Sequence, residues 1–297
     1  MHLGNVYAAL MSWLSVKTSG GEWVLRIEDL DPGRSRREYA ELIEDDLRWL
    51  GLNWDEGGLE NRGSRGPYCQ SLRDEVYRRY FSELAEKGLL YRCSCRRADI
   101  LATQAPHQSD GRIVYSGRCR PAVEPPFHEI ETGQSGAIRL WVPDRDIRFE
   151  DMVAGEQTFN LARDCGDFVV RRSDGAWAYQ LAVVVDDALM GITEVVRGDD
   201  LLLSTAQQIY IYRLLGFEPP RFGHFPLLCN EAGQRLSKRD GALSMEVLRN
   251  SHKPEQIIGR VARLAKLIDR DEPLSTEELL QECITKYGRR TGAIFSK

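Results

Sequence analysis

The run Arg235-Leu236-Ser237-Lys238-Arg239, with Gly233 before it and Gly241 after, offers cations and a hydroxyl on what reads as a mobile loop. Such a loop can clamp a triphosphate through charge-assisted hydrogen bonds, with the glycines supplying freedom of movement. When a phosphoryl group passes through its pentacovalent state, negative charge builds on the equatorial oxygens. A lysine delivered by loop closure stabilises that charge selectively. Taken alone, the run reads as a solvated basic loop. Its counterpart stands at the other end of the chain, where His2-Leu3-Gly4-Asn5 opens the apolar run from Val6 to Leu14. That run fits a helix whose first turn presents N–H groups to an anion. Gly4 lets a nucleotide approach the backbone, and His2 can donate to a phosphate oxygen. In isolation this tetrapeptide is an ordinary helix start.

A second chemistry is metal binding. Cys93-Ser94-Cys95 puts two thiolates on one tight turn, and Cys119 follows in Tyr115-Ser116-Gly117-Arg118-Cys119. This suits a tetrahedral soft site in a segment too poor in apolar residues to hold itself together. His107, His128 and Tyr115 are the candidates for a fourth ligand, imidazole being the ordinary preference over phenolate. The competing reading is a set of unconnected reduced cysteines. Cys69, Cys165, Cys229 and Cys283 stand apart and read as small core residues.

The elements that must position these groups follow an α/β order. Trp23–Ile27 alternates as a strand and stops at Glu28-Asp29-Leu30-Asp31-Pro32-Gly33. A helix follows from about Ser35 to Leu50, with Tyr39, Leu42, Ile43, Leu47 and Leu50 on one face. Ser71-x-x-Asp74 reads as a cap for a helix that buries Val76, Tyr77, Tyr80, Phe81 and Leu84. Residues 91–130 change to turn formers, arginines and cysteines, as an inserted module would. Strands are expected over Gly136–Val142, Asp167–Arg172 and Ile192–Asp200. Asp174-Gly175 is a hairpin-type turn into Ala178–Asp187, which reads as a buried parallel strand ending in two acids at a cleft. A helix is expected over Ser204–Leu215, and helices beyond residue 250. The expected division is 1–90 and 131–248 as two halves of one catalytic body, 91–130 as the insertion, and 249–297 as a short helical tail.

Of the 297 residues, 42% are hydrophobic and 29% charged, the balance of a globular protein. No apolar run of about 18 residues could span a membrane, and the N-terminus lacks a signal-peptide layout, so a cytoplasmic location is expected. A net charge of −5 argues against non-specific nucleic-acid binding, leaving only local basic strips such as Arg92, Arg96, Arg97, Arg112, Arg118 and Arg120. Seven cysteines at irregular spacing favour thiols or metal over a disulfide framework.

Together these residues resemble a family. His2-Leu3-Gly4-Asn5 resembles the HIGH motif and Arg235–Arg239 the KMSKS motif of class I aminoacyl-tRNA synthetases. Leu25-Arg26-Ile27-Glu28-Asp29-Leu30-Asp31 resembles the glutamyl-type "RIEDTD" segment. Tyr179 in Trp177–Ala182 and Arg197 in Val195–Asp200 complete the match in order, over roughly residues 1–245. The likeness is to the glutamyl-Q tRNA(Asp) synthetases, which are similar to the catalytic half of glutamyl-tRNA synthetase without its anticodon-binding domains. It implies a Rossmann-like catalytic domain that makes glutamyl-adenylate from glutamate and ATP. The glutamyl group then goes to the queuosine base of tRNA(Asp). Carried over by position, Glu28 would hold the substrate ammonium, Tyr179 would contact glutamate, and Arg197 would pair with the side-chain carboxylate as a bidentate partner. His2, Gly4 and Lys238 would serve ATP, with Mg²⁺ on the triphosphate. The family's ligand pattern also moves the fourth zinc ligand to Tyr115, beside Cys93, Cys95 and Cys119. A monomer is expected.

The chain departs from the family at its start. Relatives carry a strand with an "RFAPSPTG" segment just before the motif histidine, which here is residue 2. A missing first strand would leave a slot in the sheet with unpaired neighbours. An upstream start codon is the favoured explanation, a truncated inactive product the other. Asn5 replaces the second histidine of HIGH. The alternatives to a tRNA-modifying ligase are a glutamyl-tRNA synthetase-like protein charging tRNA(Glu) and a non-catalytic RNA-binding protein on a decayed synthetase core.

Overall fold

Helix α1 (Leu3–Thr18) starts where His2 is extended and its Nδ1 accepts the Gly4 N–H at 3.1 Å, while the Asn5 side chain accepts the His2 N–H at 3.2 Å. This reciprocal capping box satisfies donors that a helix start otherwise leaves orphaned. Leu3, Val6, Leu10 and Leu14 are buried along α1, each contributing roughly 1.5–3 kcal/mol relative to exposure. The structure, a computed structural model, describes residues 1–31, 33–96, 114–127, 136–228, 244–289 and 294.

Strand β1 (Val24–Leu25) occupies the middle of the expected Trp23–Ile27 strand. Helix α2 (Arg37–Trp49) follows, and β2 (Glu56–Gly57) pairs with β1 in parallel. The expected apolar face of α2 is only half buried. Leu47 and Leu50 are inside, but Tyr39, Leu42 and Ile43 are 53%, 57% and 37% exposed. The helix is rotated so that Ala40, Glu44 and Leu47 face inward, and Glu44 accepts the Leu59 N–H at 2.6 Å and Arg48 at 2.9 Å. A hydrogen-bonded buried carboxylate, invisible to hydrophobic periodicity, helps set that rotation.

Helix α3 (Asp74–Glu86) has no side-chain cap. Ser71 instead bonds Asp29 through its N–H at 2.8 Å and its hydroxyl at 2.6 Å, tying the turn before α3 to the residue after Glu28. The chain continues through β3 (Leu90–Cys93), β4 (Ala137–Leu140), β5 (Asp146–Asp151), β6 (Gly155–Asn160), α4 (Leu161–Asp164) and β7 (Phe168–Arg171). After these come α5 (Tyr179–Leu189), β8 (Glu194–Gly198), α6 (Leu202–Leu215) and β9 (Arg221–Phe225). Helices α7 (Met245–Ser251), α8 (Pro254–Leu264) and α9 (Thr276–Tyr287) follow residue 244. Strands β3, β4 and β7 form an antiparallel sheet, while β6, β5, β9 and β8 form another in which β5 and β8 both run parallel to β9.

The segment expected as a buried parallel strand, Ala178 to Asp187, is helical instead, as α5. Leu181 through Val185 are apolar and buried throughout, and the two acids that follow are buried too, so the run carries no period that separates strand from core helix. The Asp174-Gly175 turn does fold back, with Arg171 bridged antiparallel to Trp177 just before α5 begins.

Two main cores result. One joins α1 to Leu47, Leu52 and the helices beyond residue 244 through Met245, Ile258 and Leu279; the other joins α3, β4, α5 and α6. Among the described residues no helix is long and apolar enough to cross a membrane. Within the second core Asp186, fully buried, accepts from Gln70 at 2.8 Å, Arg73 at 2.6 Å and the Tyr77 hydroxyl at 2.8 Å. Asp186→Asn would strip the 3% exposed Arg73 of its countercharge, and the expected loss is roughly 3–5 kcal/mol of folding free energy. Urea denaturation measures it, and an unchanged midpoint would remove this ion pair from the account of stability.

Candidate active site

His2 and Gly4 line a cavity of about 320 Å³ together with Tyr7, Gly198, Asp200 and Leu228. Because His2 Nδ1 accepts the Gly4 N–H, the ring proton sits on Nε2, which is the donor nitrogen. A Cβ on Gly4 would lie 3.1 Å from His2 Cε1, so a larger residue there presses on the imidazole. Tyr7 donates to the Pro226 carbonyl at 3.2 Å, and burial, with Asp199 adding to it, pushes its phenol up to about 12. Tyr7, Gly198 and Asp200 were not singled out as site residues from sequence. The available signal for the last two was a strand ending in polar groups.

Lys238, with Arg235, Ser237 and Arg239, lies outside the described residues, as do His107 and His128. The described residues on either side of 229–243 are informative nonetheless. Leu228 lines the His2 cavity, Ser244 bridges antiparallel to His2, and the Met245 N–H donates to the Met1 carbonyl at 2.9 Å.

Arg197 lies on β8 between Val196 and Gly198. Its Nε donates to His224 Nε2 at 3.1 Å, its Nη1 to the Tyr179 hydroxyl at 3.2 Å, and its Nη2 to Thr205 Oγ1 and Gln208 Oε1, both at 2.7 Å. Tyr179, at the start of α5, and Arg197 are thus brought together. Burial holds the Tyr179 phenol above its ordinary range, against the pull of Arg197 and with help from the negative charges of Glu28 and Asp187. Among the described residues Arg197 forms no ion pair with a carboxylate; its hydrogen-bond acceptors are neutral.

Glu28 lines a larger cavity of about 690 Å³, which lies between Val24 and Leu25 of β1 and Val195 and Val196 of β8. Among the described residues β1 pairs with β2 and β8 with β9, and the two strands do not pair with each other across this space. Arg26 donates to Asp187 at 2.6 Å and to Glu28 at 3.0 Å. Burial pushes the Asp187 carboxyl above its ordinary value, with Arg26 pulling the other way. His2 and Glu28 therefore stand at separate cavities. Strand β8 borders both, with Val196 at one, Gly198 at the other and Arg197 between them in sequence.

The sulfurs of Cys93, Cys95 and Cys119 all lie within 4.8 Å of one another, an arrangement that could hold a metal ion. The Tyr115 hydroxyl is 3.5 Å from Cys93 Sγ and accepts the Cys119 N–H at 2.8 Å. Cys165 and Cys283 are buried and Cys69 half-buried, apart from this cluster; Cys229 lies outside the described residues.

The fold is that of a class I synthetase catalytic domain. The chain matches the family described as tRNA synthetases class I (E and Q), catalytic domain, over residues 1–293, and it belongs to that family. It is 48% identical over 285 residues to a glutamyl-Q tRNA(Asp) synthetase of Symbiobacterium thermophilum, covering 94% of this chain and 87% of the relative. A protein of the same name from Nitratidesulfovibrio vulgaris is 46% identical over 271 residues, covering 90% and 83%. The crystal structure of glutamate-tRNA synthetase from Elizabethkingia anophelis superposes with a TM-score of 0.78 at 29% identity, over 95% of this chain and 62% of that one.

The thiol cluster has a testable asymmetry in metal-free protein. Burial disfavours the Cys119 thiolate, but hydrogen bonds from the Ser94 backbone, Cys95, Tyr115 and the Ser94 hydroxyl outweigh it and bring its pKa down to about 6. Cys95 is pushed up to about 11 and Cys165 to about 12, chiefly by burial. A thiolate reacts and a thiol does not. Iodoacetamide at neutral pH should therefore label Cys119 before Cys95 and Cys165, at a rate that falls as pH drops through about 6. Peptide mapping reads this out; equal labelling of Cys95 and Cys119 would contradict it.

Proposed function

We propose that the chain activates glutamate with ATP and transfers the glutamyl group to the queuosine base of tRNA(Asp). The observation that carries this reading is Arg197, a half-buried cation whose acceptors among the described residues are neutral. Such a group suits an anionic ligand, which would complete it as a charge-assisted pair. The names of the relatives from S. thermophilum and N. vulgaris support the same substrate and acceptor.

In this reading the glutamate side-chain carboxylate meets Arg197. Nε and Nη2 are already engaged by the protein, so the contact is made through Nη1 beside the Tyr179 hydroxyl rather than as a two-nitrogen fork. Glu28 takes the substrate ammonium in exchange for part of its pairing with Arg26. The α-carboxylate oxygen of glutamate attacks the α-phosphorus of ATP. The bond to the bridging oxygen breaks, and pyrophosphate leaves. A hydroxyl of the queuosine cyclopentenediol then attacks the acyl carbon, releasing AMP and a proton. No protein nucleophile is required, so the protein contributes positioning and charge stabilisation. His2 Nε2 donates to a phosphate oxygen, Gly4 admits the nucleotide, and Lys238 stabilises the charge developing on the phosphoryl group. Mg²⁺ bound with ATP would neutralise phosphate charge.

Zinc fits the thiol cluster. Tetrahedral ligands at a Zn–S distance of about 2.3 Å stand roughly 3.8 Å apart, and Cys95 and Cys119 are 3.5 Å apart. Cys93, Cys95, Cys119 and Tyr115 would hold the ion, cross-linking a segment whose own apolar cluster is small.

Glutamate-dependent exchange of pyrophosphate into ATP, without tRNA, is the expected activity, and its absence would overturn this reading. Arg197→Ala should raise the glutamate KM roughly 10–100-fold, the worth of a hydrogen bond to a charged group, and leave the ATP KM nearly unchanged. Labelled glutamate should reach tRNA(Asp) carrying queuosine but neither tRNA(Asp) lacking that base nor tRNA(Glu). Charging of tRNA(Glu) would replace the modifying role with an aminoacylating one. Metal analysis should find about one zinc per chain, lost on combined Cys95→Ser and Cys119→Ser substitution. Parent protein purified without chelator that is folded yet zinc-free would refute the metal assignment.

A further inference from the structure

His224 on β9 stands in register with Arg197 on β8. Its Nε2 is 3.1 Å from Arg197 Nε and 3.0 Å from Thr205 Oγ1, and its Nδ1 is 2.6 Å from Asp151 Oδ2. Asp151 Oδ1 accepts three backbone N–H groups, from His224 at 3.0 Å, Val153 at 3.0 Å and Ala154 at 2.8 Å. His224, Asp151 and Thr205 are 1%, 2% and 0% exposed. A guanidinium can only donate, so His224 Nε2 must accept, and the ring proton must lie on Nδ1 toward Asp151. A doubly protonated ring would set N–H against N–H. The network therefore has one direction, from Arg197 through His224 to Asp151.

This arrangement settles where the cation's capacity goes. Of the five guanidinium N–H groups, Nε and both Nη2 hydrogens are engaged by His224, Thr205 and Gln208. Gln208 is itself fixed by Gln180 at 2.9 Å. One Nη1 hydrogen goes to Tyr179, and the other has no acceptor among the described residues. The negative charge of Asp151 is meanwhile held one imidazole away, close enough to polarise His224 but not in contact with the guanidinium.

We propose that Asp151 and His224 are a positioning pair that fixes Arg197 and keeps its charge uncompensated, so that the site selects a carboxylate side chain over the isosteric amide. The inference rests on reading Arg197 as the carboxylate anchor. An amide oxygen can accept the same Nη1 hydrogen, so hydrogen-bond geometry alone does not separate glutamate from glutamine. The unquenched charge does. Shortening residue 224 would let Arg197 reach Asp151 directly, and the resulting ion pair would cancel the preference for an anion.

The test is pyrophosphate exchange with glutamate and with glutamine for the parent, Asp151→Asn, His224→Ala, His224→Gln and Arg197→Ala. His224→Ala is expected to raise the glutamate KM roughly tenfold or more and to lower the glutamate-over-glutamine ratio of kcat/KM by a similar factor, with the ATP KM unchanged. His224→Gln, whose amide can accept from Arg197, should recover part of that ratio. Asp151→Asn should raise the glutamate KM without abolishing exchange. Nitrogen-15 NMR of the parent imidazoles, assigned with His224→Gln, should show Nδ1 protonated and Nε2 not. An Nε2-protonated ring would overturn the proposal, whatever the variants do. So would an unchanged glutamate-over-glutamine ratio in a folded His224→Ala protein. If Arg197→Ala itself leaves the glutamate KM unmoved, the functional reading fails and takes this inference with it.

Discussion

The parallel pairing of β8 with β9 sets Arg197 opposite His224 and Gly198 opposite Phe225, and the geometry of the site depends on that register. Strand residues alternate between faces, so a slip of one residue would exchange every side chain across the sheet. Arg197 would then lose its acceptors, and Gly198 would leave the His2 cavity. The same strand carries Val195 and Val196 at the wall of the larger cavity. The Arg197–His224 hydrogen bond joins β8 to β9 at that register, and Asp151 binds the His224 backbone and ring at once, tying β9 in turn to β5. The anchor of the sheet and the anchor of Arg197 are one residue.

What lies in short local patterns was legible: the start of α1 and the thiols that cluster could be read without tertiary information. The structure also brings Tyr179 and Arg197 into contact, as their shared place in the family pattern implied. Groups that depend on distant partners could not be read in this way. Asp151 and His224 are 73 residues apart, and neither sits in a pattern that distinguishes it from any strand-end acid or core histidine. The rotation of α2 escaped for a related reason, since Glu44 is buried by a bond to the backbone of Leu59. The strand expected over Ala178–Asp187 is a helix because the signal there is ambiguous in principle. An all-apolar run such as Leu181–Val185 has no polar face to reveal its period, so α5 passed for a strand.

Helix α1 shows how one local pattern serves two tasks. A histidine is an unusual cap, yet His2 satisfies the Gly4 N–H through Nδ1 and is thereby fixed as an Nε2–H tautomer. Asn5, which stands where the family motif has a second histidine, closes the capping box on the His2 N–H. The departure from the motif thus preserves the helix start. The Met1 carbonyl accepts the Met245 N–H of α7 at 2.9 Å, and Ser244 bridges antiparallel to His2. The first turn is therefore braced from α7, and the His2 ring is held by hydrogen bonds rather than left on a frayed end.

Arginines of the described interior differ in how their charge is met. Arg73 is met by Asp186, and Arg26 by Asp187 and Glu28; both guanidiniums are nearly enclosed. A buried ion pair of this kind contributes little net attraction once desolvation is counted, but losing either partner is costly. Such pairs lock α3 and β1 onto α5. Arg197 is treated differently. It lies a short distance from a buried carboxylate, yet an imidazole is interposed, and its other acceptors are a phenol, a hydroxyl and an amide. The Asp151 charge therefore reaches Arg197 only through the His224 ring. Arg139 is buried as well and donates to a neutral acceptor, the Asp167 carbonyl at 2.6 Å, so what sets Arg197 apart is its half-exposed position beside the Tyr179 hydroxyl rather than neutral acceptors alone.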